Sequence, residues 1–399
     1  MAQVTTYTPA GAATGMTFSI TCNGKTVSYT TSLGTAADAC SGLAAAIAAF
    51  GQAEFQEFTP QAQPTYILLT GNTAGLPFTV TGAASGGGGG GSVTLASTTA
   101  ATGPNDWANG ANWSSGSAPA ASDDVYFDAG NVPCLYSLSQ SAVTLDSLNV
   151  YQTYTGTIGL PLYNTKGGYR EYRTQELTIS ATTVNIGQQT GNGSGRIKLA
   201  VGSNACTLNV YNTGQPADNG IPALTWRGTN SGNIVSVNKG SVGLATFPGD
   251  AATIATLNLG YVSNKTGDAQ VFCGGGATIT TVNQNGGQLQ INNGATTIAS
   301  NIGNVTIWSG AVGTLNANGG NCIYNSIGTL TTAEVSDGGT LDFSQDQRAK
   351  TVTNTINIYG DNASINDPFK VVSSVAIGLN SVESLANINV GETLILTRS

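Results

Sequence analysis

A short motif recurs along the chain from residue 105 onwards and limits the folds that this sequence can adopt. Two apolar residues flank an x-Thr or x-Ser pair in Leu145-Asp-Ser-Leu148, Ile254-Ala-Thr-Leu257, Ile279-Thr-Thr-Val282, Val312-Gly-Thr-Leu315, Ile327-Gly-Thr-Leu330 and, more loosely, Ala349-Lys-Thr-Val352. Several copies follow short apolar strands, which begin 18, 16, 17 and 19 residues apart at Val271, Leu289, Val305, Cys322 and Leu341. A repeat near 18 residues predicts stacked coils, because each coil buries its inward residues only against its neighbours.

Turns and composition agree with stacking. NGG or DGG turns close several of the units (285–287, 318–320 and 337–339). Only 9% of the residues are charged, against roughly 25% in an ordinary soluble domain, and stacking places ladders of Thr, Asn and Ser where like charges would repel. We therefore predict a mainly β chain whose body, 105–399, is a parallel β-solenoid or β-helix. Tandem β-sandwiches, which also give short strands between turns, are the alternative.

The first 85 residues predict a small α+β module. Apolar and polar side chains alternate on both sides of Asn23-Gly24, which is a hairpin signature. A helix over about 36–50 follows, with Thr35 and Asp38 as a capping box and one apolar face formed by Cys40, Leu43, Ile47 and Phe50. Further strands are predicted at 53–59, 65–70 and 78–82. We interpret 1–85 as an attachment domain and the glycine-rich stretch 86–104 as a linker. The alternatives are a glycine-rich loop inside one domain and attachment through the body.

Charge and composition exclude several classes of protein. The net charge is −8, and residues 1–160 hold eight acids and one base, so the chain has no basic stripe for nucleic acid. The absence of histidine excludes histidine-dependent catalytic triads. We predict no membrane span and no signal peptide, since no apolar run is long enough and the Met1 end lacks a basic region followed by an apolar run. The protein is expected to fold in a cytoplasm.

Cysteines and carboxylates are the remaining chemical candidates. The six cysteines are widely spaced without a CxxC pair, which predicts buried free thiols and no zinc site. Paired carboxylates can act as the acid and base of a glycosidase, and the candidates are Asp123 with Asp124 and Asp128, Glu334 with Asp337, and Asp342 with Asp346. Turn-capping and solubilising roles are the stronger interpretation, so we predict no enzyme, no cofactor and no metal.

One stretch, 151–173, gathers aromatic and basic residues in a chain that has few of either. Tyrosine and arginine are enriched at the hot spots of protein interfaces. The candidate partner contacts are therefore Tyr151, Tyr154, Tyr163, Lys166, Tyr169, Arg170, Tyr172 and Arg173. A loop that packs back on its own coil is the alternative.

Two parts of the chain resemble known families. The stretches TFSITCNGKTVSYTT, TAADACSGLAAAIAAF and TYILLTGNTAGLPFTVTGAAS resemble a small module of tailed-bacteriophage structural proteins, which has a hairpin with a central NG, an Ala-rich helix and a "G-x-PFTVT" ending. Separately, NDWANGANWSSGSAPAASDDVYFD resembles the "W-x-x-x-x-NW-S … P … D-x-V-x-F" opening of β-helical surface and virion proteins. Bacterial surface proteins share that second motif.

The resemblance implies a virion component, made in the host cytoplasm, that is a capsid decoration protein or a tail-associated fibre. The implied partners are other virion proteins, and the habit of phage β-helical proteins implies a homotrimer. Two alternatives stay open: a bacterial surface adhesin, which should carry an export signal or anchor, and a tailspike glycan depolymerase that uses paired carboxylates.

Overall fold

The structure is a computed structural model that describes residues 1–88, 90–164, 167–218, 220–260, 269–336, 338–360, 362–372, 376–379, 388–389 and 395–398. The chain is mainly β, as predicted. It divides into two compact units. Unit 1 comprises 1–118, 133–138 and 159–175, and unit 2 comprises 119–132, 139–158 and 176–399. No helix in the described ranges is long and apolar enough to cross a membrane.

Unit 1 contains one α-helix, α1 (Ala36–Ala49), and two short 3-10 helices, Ala53–Gln56 and Gly110–Asn112. Its strands are β1 (Val4–Ala10), β2 (Met16–Cys22), β3 (Lys25–Thr30), β4 (Phe58–Ala62), β5 (Ile67–Gly71), β6 (Thr81–Gly86) and β7 (Ser92–Thr99). They form two antiparallel sheets with the orders β4-β5-β1-β7 and β3-β2-β6. The predicted strand at 53–59 is different, since its first half is a 3-10 helix and β4 begins only at Phe58.

The hairpin and the helix follow the local signals that predicted them. Asn23 and Gly24 both have positive φ values, 50° and 72°, which a two-residue hairpin turn requires. The Thr35 hydroxyl accepts a hydrogen bond from the Asp38 amide at 3.2 Å and caps α1. The Asp38 carboxylate does not return to Thr35, as a full capping box would; it accepts hydrogen bonds from the amides of Ser32 and Leu33.

An apolar core lies within unit 1. The predicted helix face supplies Cys40, Leu43 and Ile47, all essentially inaccessible to solvent, and the sheets contribute residues such as Phe18 and Leu69. The segment predicted as a linker, 86–104, is partly sheet, because β7 pairs along its length with β1. Backbone hydrogen bonds to β1 therefore hold this part of the segment in a sheet. The run of glycines before it ends at residue 91.

Unit 2 is built from short strands, which run from β8 to β30 in chain order. They are β8 (Asp124–Phe127), β9 (Ser139–Val150), β10 (Leu177–Ile186), β11 (Ile197–Ala200), β12 (Thr207–Val210), β13 (Ala217–Asp218), β14 (Ile221–Pro222), β15 (Leu224–Arg227), β16 (Ile234–Val237), β17 (Gly240–Leu244), β18 (Ala252–Leu259), β19 (Ala269–Cys273), β20 (Ala277–Ile291), β21 (Ala295–Ile307), β22 (Val312–Ala317), β23 (Asn321–Tyr324), β24 (Leu330–Ser336), β25 (Thr340–Asp342), β26 (Thr355–Tyr359), β27 (Ser364–Asn366), β28 (Ala376–Leu379), β29 (Ile388–Asn389) and β30 (Ile395–Arg398).

These strands pair in two parallel ladders. The first ladder joins β8, β9, β10, β12, β16, β18, β20, β21, β22, β24, β26, β28 and β30 in that order. The second joins β10, β11, β15, β17, β19, β20, β21, β23, β25, β27 and β29. Apart from the short β13–β14 pair, the described strands of unit 2 pair in parallel, whereas sandwiches would have required antiparallel sheets.

Alternation along each strand sends every second side chain inward. In the first ladder one inward column contains Leu208, Val235, Leu257, Val282, Ile298 and Leu315, each with 0% exposure. The second ladder has a matching column that contains Val242, Leu289, Val305, Cys322 and Leu341. The repeated motif therefore marks the buried columns of this unit.

Two copies of the motif, which begin at Ile327 and Ala349, lie in a different register from the others, and Val352 of the second pairs with Leu330 of the first. Ile327-Gly-Thr-Leu330 places its last residue in the column of Val312, because Leu330 pairs with Val312 and Ala333 pairs with Leu315. Ile327 itself is 60% exposed. The spacing of apolar residues matched the motif, but a turn before β24 shifts the chain by three residues.

All six cysteines are free and buried, which confirms the prediction of buried thiols. Burial raises the pKa of Cys273 and Cys322 to about 12 and of Cys22 and Cys40 to about 11, because a desolvated thiolate is unfavourable. We expect no reaction with Ellman's reagent in the native protein at neutral pH and six reacting thiols after denaturation. Rapid labelling of native protein would contradict the buried positions.

Candidate contact surfaces

The predicted carboxylate pairs have separate structural partners. Asp123 accepts a hydrogen bond from the Ala120 amide at 2.8 Å, and Asp128 accepts one from the Thr153 hydroxyl at 2.7 Å. Asp342 accepts hydrogen bonds from the Ser344 amide and from Asn366. These contacts are those of turn caps and ladder bonds. Glu334 lies half-buried on β24, and its predicted partner Asp337 lies outside the described residues. In the described ranges no three His, Cys, Asp or Glu side chains form a metal-binding group.

Asp346, the predicted partner of Asp342, belongs to a different group of charges. Its carboxylate accepts hydrogen bonds from Nε of Arg348 at 2.9 and 3.0 Å and from the Lys350 ammonium. The Lys350 side chain is fully buried and also donates to the Asn325 carbonyl at 3.0 Å. The hydrogen bonds from Arg348, followed by those from Lys350, hold the pKa of Asp346 well below its ordinary range.

This lowered pKa predicts an acid-sensitive contribution to stability. A carboxyl group whose folded pKa is depressed stabilises the protein above its unfolded pKa of about 3.9, and the contribution is lost as the pH falls through the folded value. We expect Asp346→Asn to lower the urea midpoint at neutral pH and to flatten its decline below about pH 4. Urea titrations at a series of pH values measure both effects. An equally steep acid decline in the variant would contradict this role.

The aromatic and basic segment 151–173 is divided between the two units. Tyr151 and Tyr154 belong to unit 2, where Tyr154 is buried and its hydroxyl donates to the Val132 carbonyl at 2.8 Å. The residues from 159 onwards belong to unit 1. Lys166 lies outside the described residues.

Within unit 1, part of this segment forms a buried polar group that we call the Arg173 cluster: Glu57, Tyr169, Glu171, Tyr172 and Arg173. The Glu57 carboxylate accepts hydrogen bonds from Arg173, from the Tyr169 hydroxyl and, at 2.9 Å, from the Tyr172 hydroxyl. Glu171 accepts from Nη1 of Arg173 at 2.9 Å. One guanidinium therefore lies between two carboxylates.

Burial makes this arrangement costly to disturb. The Arg173, Glu57 and Glu171 side chains are only 7%, 10% and 1% exposed. The third nitrogen of the Arg173 guanidinium, Nε, donates a hydrogen bond to the Pro77 carbonyl at 2.6 Å. The guanidinium carbon lies 4.6 Å from the centre of the Tyr172 ring. Burial, together with the hydrogen bond to Glu57, raises the pKa of Tyr169 well above its ordinary value, so its hydroxyl stays a donor.

Three of the predicted partner contacts, Tyr169, Tyr172 and Arg173, thus have their polar groups engaged inside unit 1. Tyr163 is 60% exposed, and Arg170 is also exposed. These two residues form an antiparallel bridge with each other and are the best placed of the set to reach a partner. A partner contact through this segment stays a prediction.

A second surface lies at four successive turns of unit 2. The turns follow β21, β23, β25 and β27, which are neighbours in the second ladder, so their carboxyl ends meet at one edge. The turns expose Trp308, Ile327, Arg348 and Phe369, which we call the turn patch. Trp308 is 45%, Ile327 60% and Phe369 48% exposed, and the Arg348 side chain is 61% exposed.

Side-chain hydrogen bonds brace the turns that carry this patch. The Ser326 hydroxyl donates to the Gly310 carbonyl at 2.6 Å and accepts from the Gly328 amide at 2.9 Å. The Asp367 carboxylate accepts from the amides of Val371 and Val372, each at 2.9 Å. These hydrogen bonds fix the backbone of the two turns, and the apolar side chains of Ile327 and Phe369 are exposed on them.

The turn patch was missed by reasoning from the sequence. Each of its apolar residues is isolated between polar or turn-forming neighbours, so no local run marks it. The sequence does contain one signal for it. Trp308 lies two residues before Gly310, and Ile327 lies directly before Gly328. A glycine in the repeat indicates a turn, where side chains are expected to be exposed to solvent.

Comparisons of this chain with protein-family profiles, with curated proteins and with solved structures found no match.

Proposed function

We propose that this chain is a structural protein of a tailed-bacteriophage virion, a capsid decoration protein or a tail-associated fibre, that acts by attachment to other proteins and not by catalysis. In this proposal unit 2 is a parallel β-solenoid, a body that projects from or clamps onto the particle. The two parallel ladders support it, because their partners follow one another along the chain and their inward columns are apolar.

The turn patch is the observation that carries the proposal. Tryptophan and arginine are enriched among the few residues that dominate the binding energy of protein interfaces. Large apolar side chains on braced turns also lose little conformational freedom on binding, which lowers the cost of association. A chain that exposes such residues at neighbouring turns is suited to protein–protein contact.

Charge indicates which kind of surface fits the turn patch. Arg348 and Lys350 both bond to the one carboxylate of Asp346, and the Arg348 side chain is 61% exposed, while the Asp367 carboxylate is bound by backbone amides. Residues 1–160 carry a net charge of −7. In a homotrimer each contact joins two different surfaces, as rotational symmetry of this order requires. We propose that the turn patch packs on an acidic surface of the next copy.

The residues of the NW motif have a local structural role. Trp107 is fully buried, and Nε1 of Trp113 donates to its carbonyl at 2.8 Å. The side-chain amide of Asn112 (Nδ2) donates to the backbone carbonyls of Gly103 and Asp106 at 2.9 and 2.8 Å. The residues that define the motif are thus joined by local hydrogen bonds, and these bonds account for the spacing of Trp107, Asn112 and Trp113.

Light scattering of the purified chain tests the proposal. We expect a trimer for the wild type and a monomer for the double variant Trp308→Ser, Phe369→Ser with an unchanged circular dichroism spectrum. The matched control is Tyr359→Ser, which removes an aromatic side chain of similar exposure (39%) from a strand end outside the turn patch. A monomeric wild type, or a variant that stays trimeric, would overturn the assignment of this surface.

A further inference from the structure

One face of the first ladder presents two columns of mostly small polar side chains. We call it the Thr–Asn face. Its first column is Ser147, Thr183, Thr207, Ile234, Thr256, Thr281, Thr297, Thr314 and Thr332, and its second is Asn149, Asn185, Asn209, Ser236, Asn258, Asn283, Ala299, Asn316 and Glu334. The residue between each pair points into the core, as at Leu257 and Ile298, so both columns face outward.

The two columns use their polar groups differently. The asparagines bond to one another along the ladder: Asn185 donates to Asn149 at 2.9 Å, Asn209 to Asn185 at 3.0 Å, and Asn283 to Asn258 at 3.0 Å. The hydroxyls of the threonines from Thr183 to Thr314 make no hydrogen bond to any described residue, although these side chains are partly buried. Six free hydroxyls, each beside a methyl group, therefore face the solvent, and the exposed Ile234 side chain interrupts their column between Thr207 and Thr256.

This array is regular and stiff. Neighbouring strands lie about 4.7–4.9 Å apart, and outward residues of one strand are about 6.6 Å apart, so the hydroxyls and amides form a two-dimensional lattice. Threonine is restricted at χ1 by its branched Cβ, and the amide ladder ties adjacent strands. From Ser147 to Asn316 neither column contains a charged residue, although the chain carries 34 charged side chains elsewhere or at the ends of the face. Such a lattice favours a ligand that is itself periodic, uncharged and rich in hydrogen-bonding oxygen.

We propose that the Thr–Asn face binds ice. Methyl groups restrict the orientation of first-shell water, and the free hydroxyls anchor such waters by hydrogen bonds. The strand repeat is close to the repeat of water oxygens along the basal axis of hexagonal ice, so water ordered on the face matches a crystal surface. A glycan is a poorer ligand, because the two columns from Ser147 to Glu334 offer no aromatic ring on which a sugar can stack, and the exposed ring of Tyr126 lies only beside Asn149 at the end of the second column. This inference is independent of the turn patch and of the proposed virion role.

Ice recrystallisation and thermal hysteresis of the full chain test the inference. We expect the wild type to keep ice crystals small and to open a gap between melting and freezing, and Thr297→Lys to lose both effects. The matched control is Thr306→Lys on the same strand, β21, where Thr306 has similar partial burial but faces outward from the second ladder. Thr297→Val, which keeps the methyl groups and removes the hydroxyl, should weaken both effects and covers the case in which the lysine variant fails to fold.

A wild type that affects ice no more than serum albumin does would overturn the inference, as would a folded Thr297→Lys variant that is as active as the control. Light scattering of the same variants tests whether the face binds another copy of the chain and not ice. If Thr297→Lys dissociates the protein but keeps the ice activity of the wild type, the face binds another copy of the chain and the ice inference is wrong.

Discussion

Replacing Arg173 by methionine is expected to destabilise unit 1 by about 3–5 kcal/mol, the usual cost of removing one partner of a buried ion pair. The variant leaves Glu57 and Glu171 buried without a cation, and it also leaves the Pro77 carbonyl without its donor. Methionine has a similar length and is apolar, so the change tests charge and hydrogen bonding more than volume.

The matched control is Arg227→Met in unit 2. Arg227 pairs with Glu176, but these side chains are 39% and 25% exposed. Partly exposed pairs contribute roughly 0–1 kcal/mol. Hydrogen exchange read by mass spectrometry distinguishes the two variants, because peptides from β4 and β5 report on unit 1. Unchanged exchange of these peptides in Arg173→Met would show that the cluster contributes nothing to stability.

The second large effect is expected in the apolar columns of unit 2. Leu315 has 0% exposure and lies between Ile298 and Ala333 in the first ladder. Leu315→Ala should cost about 2–5 kcal/mol, because the strand cannot collapse into the cavity without losing its register. Thr314→Ala, at the adjacent outward position, should change stability by less than about 0.5 kcal/mol.

Urea denaturation of both variants measures this contrast. It also tests the orientation of β22, since side chains point to opposite faces at successive positions and a shift of one residue would exchange the two roles. Similar losses for Leu315→Ala and Thr314→Ala would contradict the alternation. The same comparison at Leu330 and Thr329 would locate the register shift that separates the copies of the motif at Ile327 and Ala349 from the earlier ones.

Features that depend on neighbouring residues were predictable. The turn at Asn23-Gly24, the cap at Thr35 and the apolar face of α1 follow from backbone preference and periodicity, which act over a few residues. Burial of the six thiols was also predicted, and four of these cysteines, Cys22, Cys40, Cys273 and Cys322, lie in strands or in α1. The boundaries of the compact units did not follow, because β7 and the segments 133–138 and 159–175 join unit 1 through pairings that no local pattern marks.

The candidate sites divide in the same way. The amino-acid sequence by itself determined that the chain is mainly β, that its repeated apolar residues form a core and that histidine chemistry is absent. Only the tertiary structure decided that Arg173 lies between Glu57 and Glu171, that Trp308 and Phe369 share one edge, and that the threonines of successive strands form a single column. The reason is that burial and alternation are local consequences of side-chain chemistry, whereas the meeting of distant residues depends on the register of the strands between them.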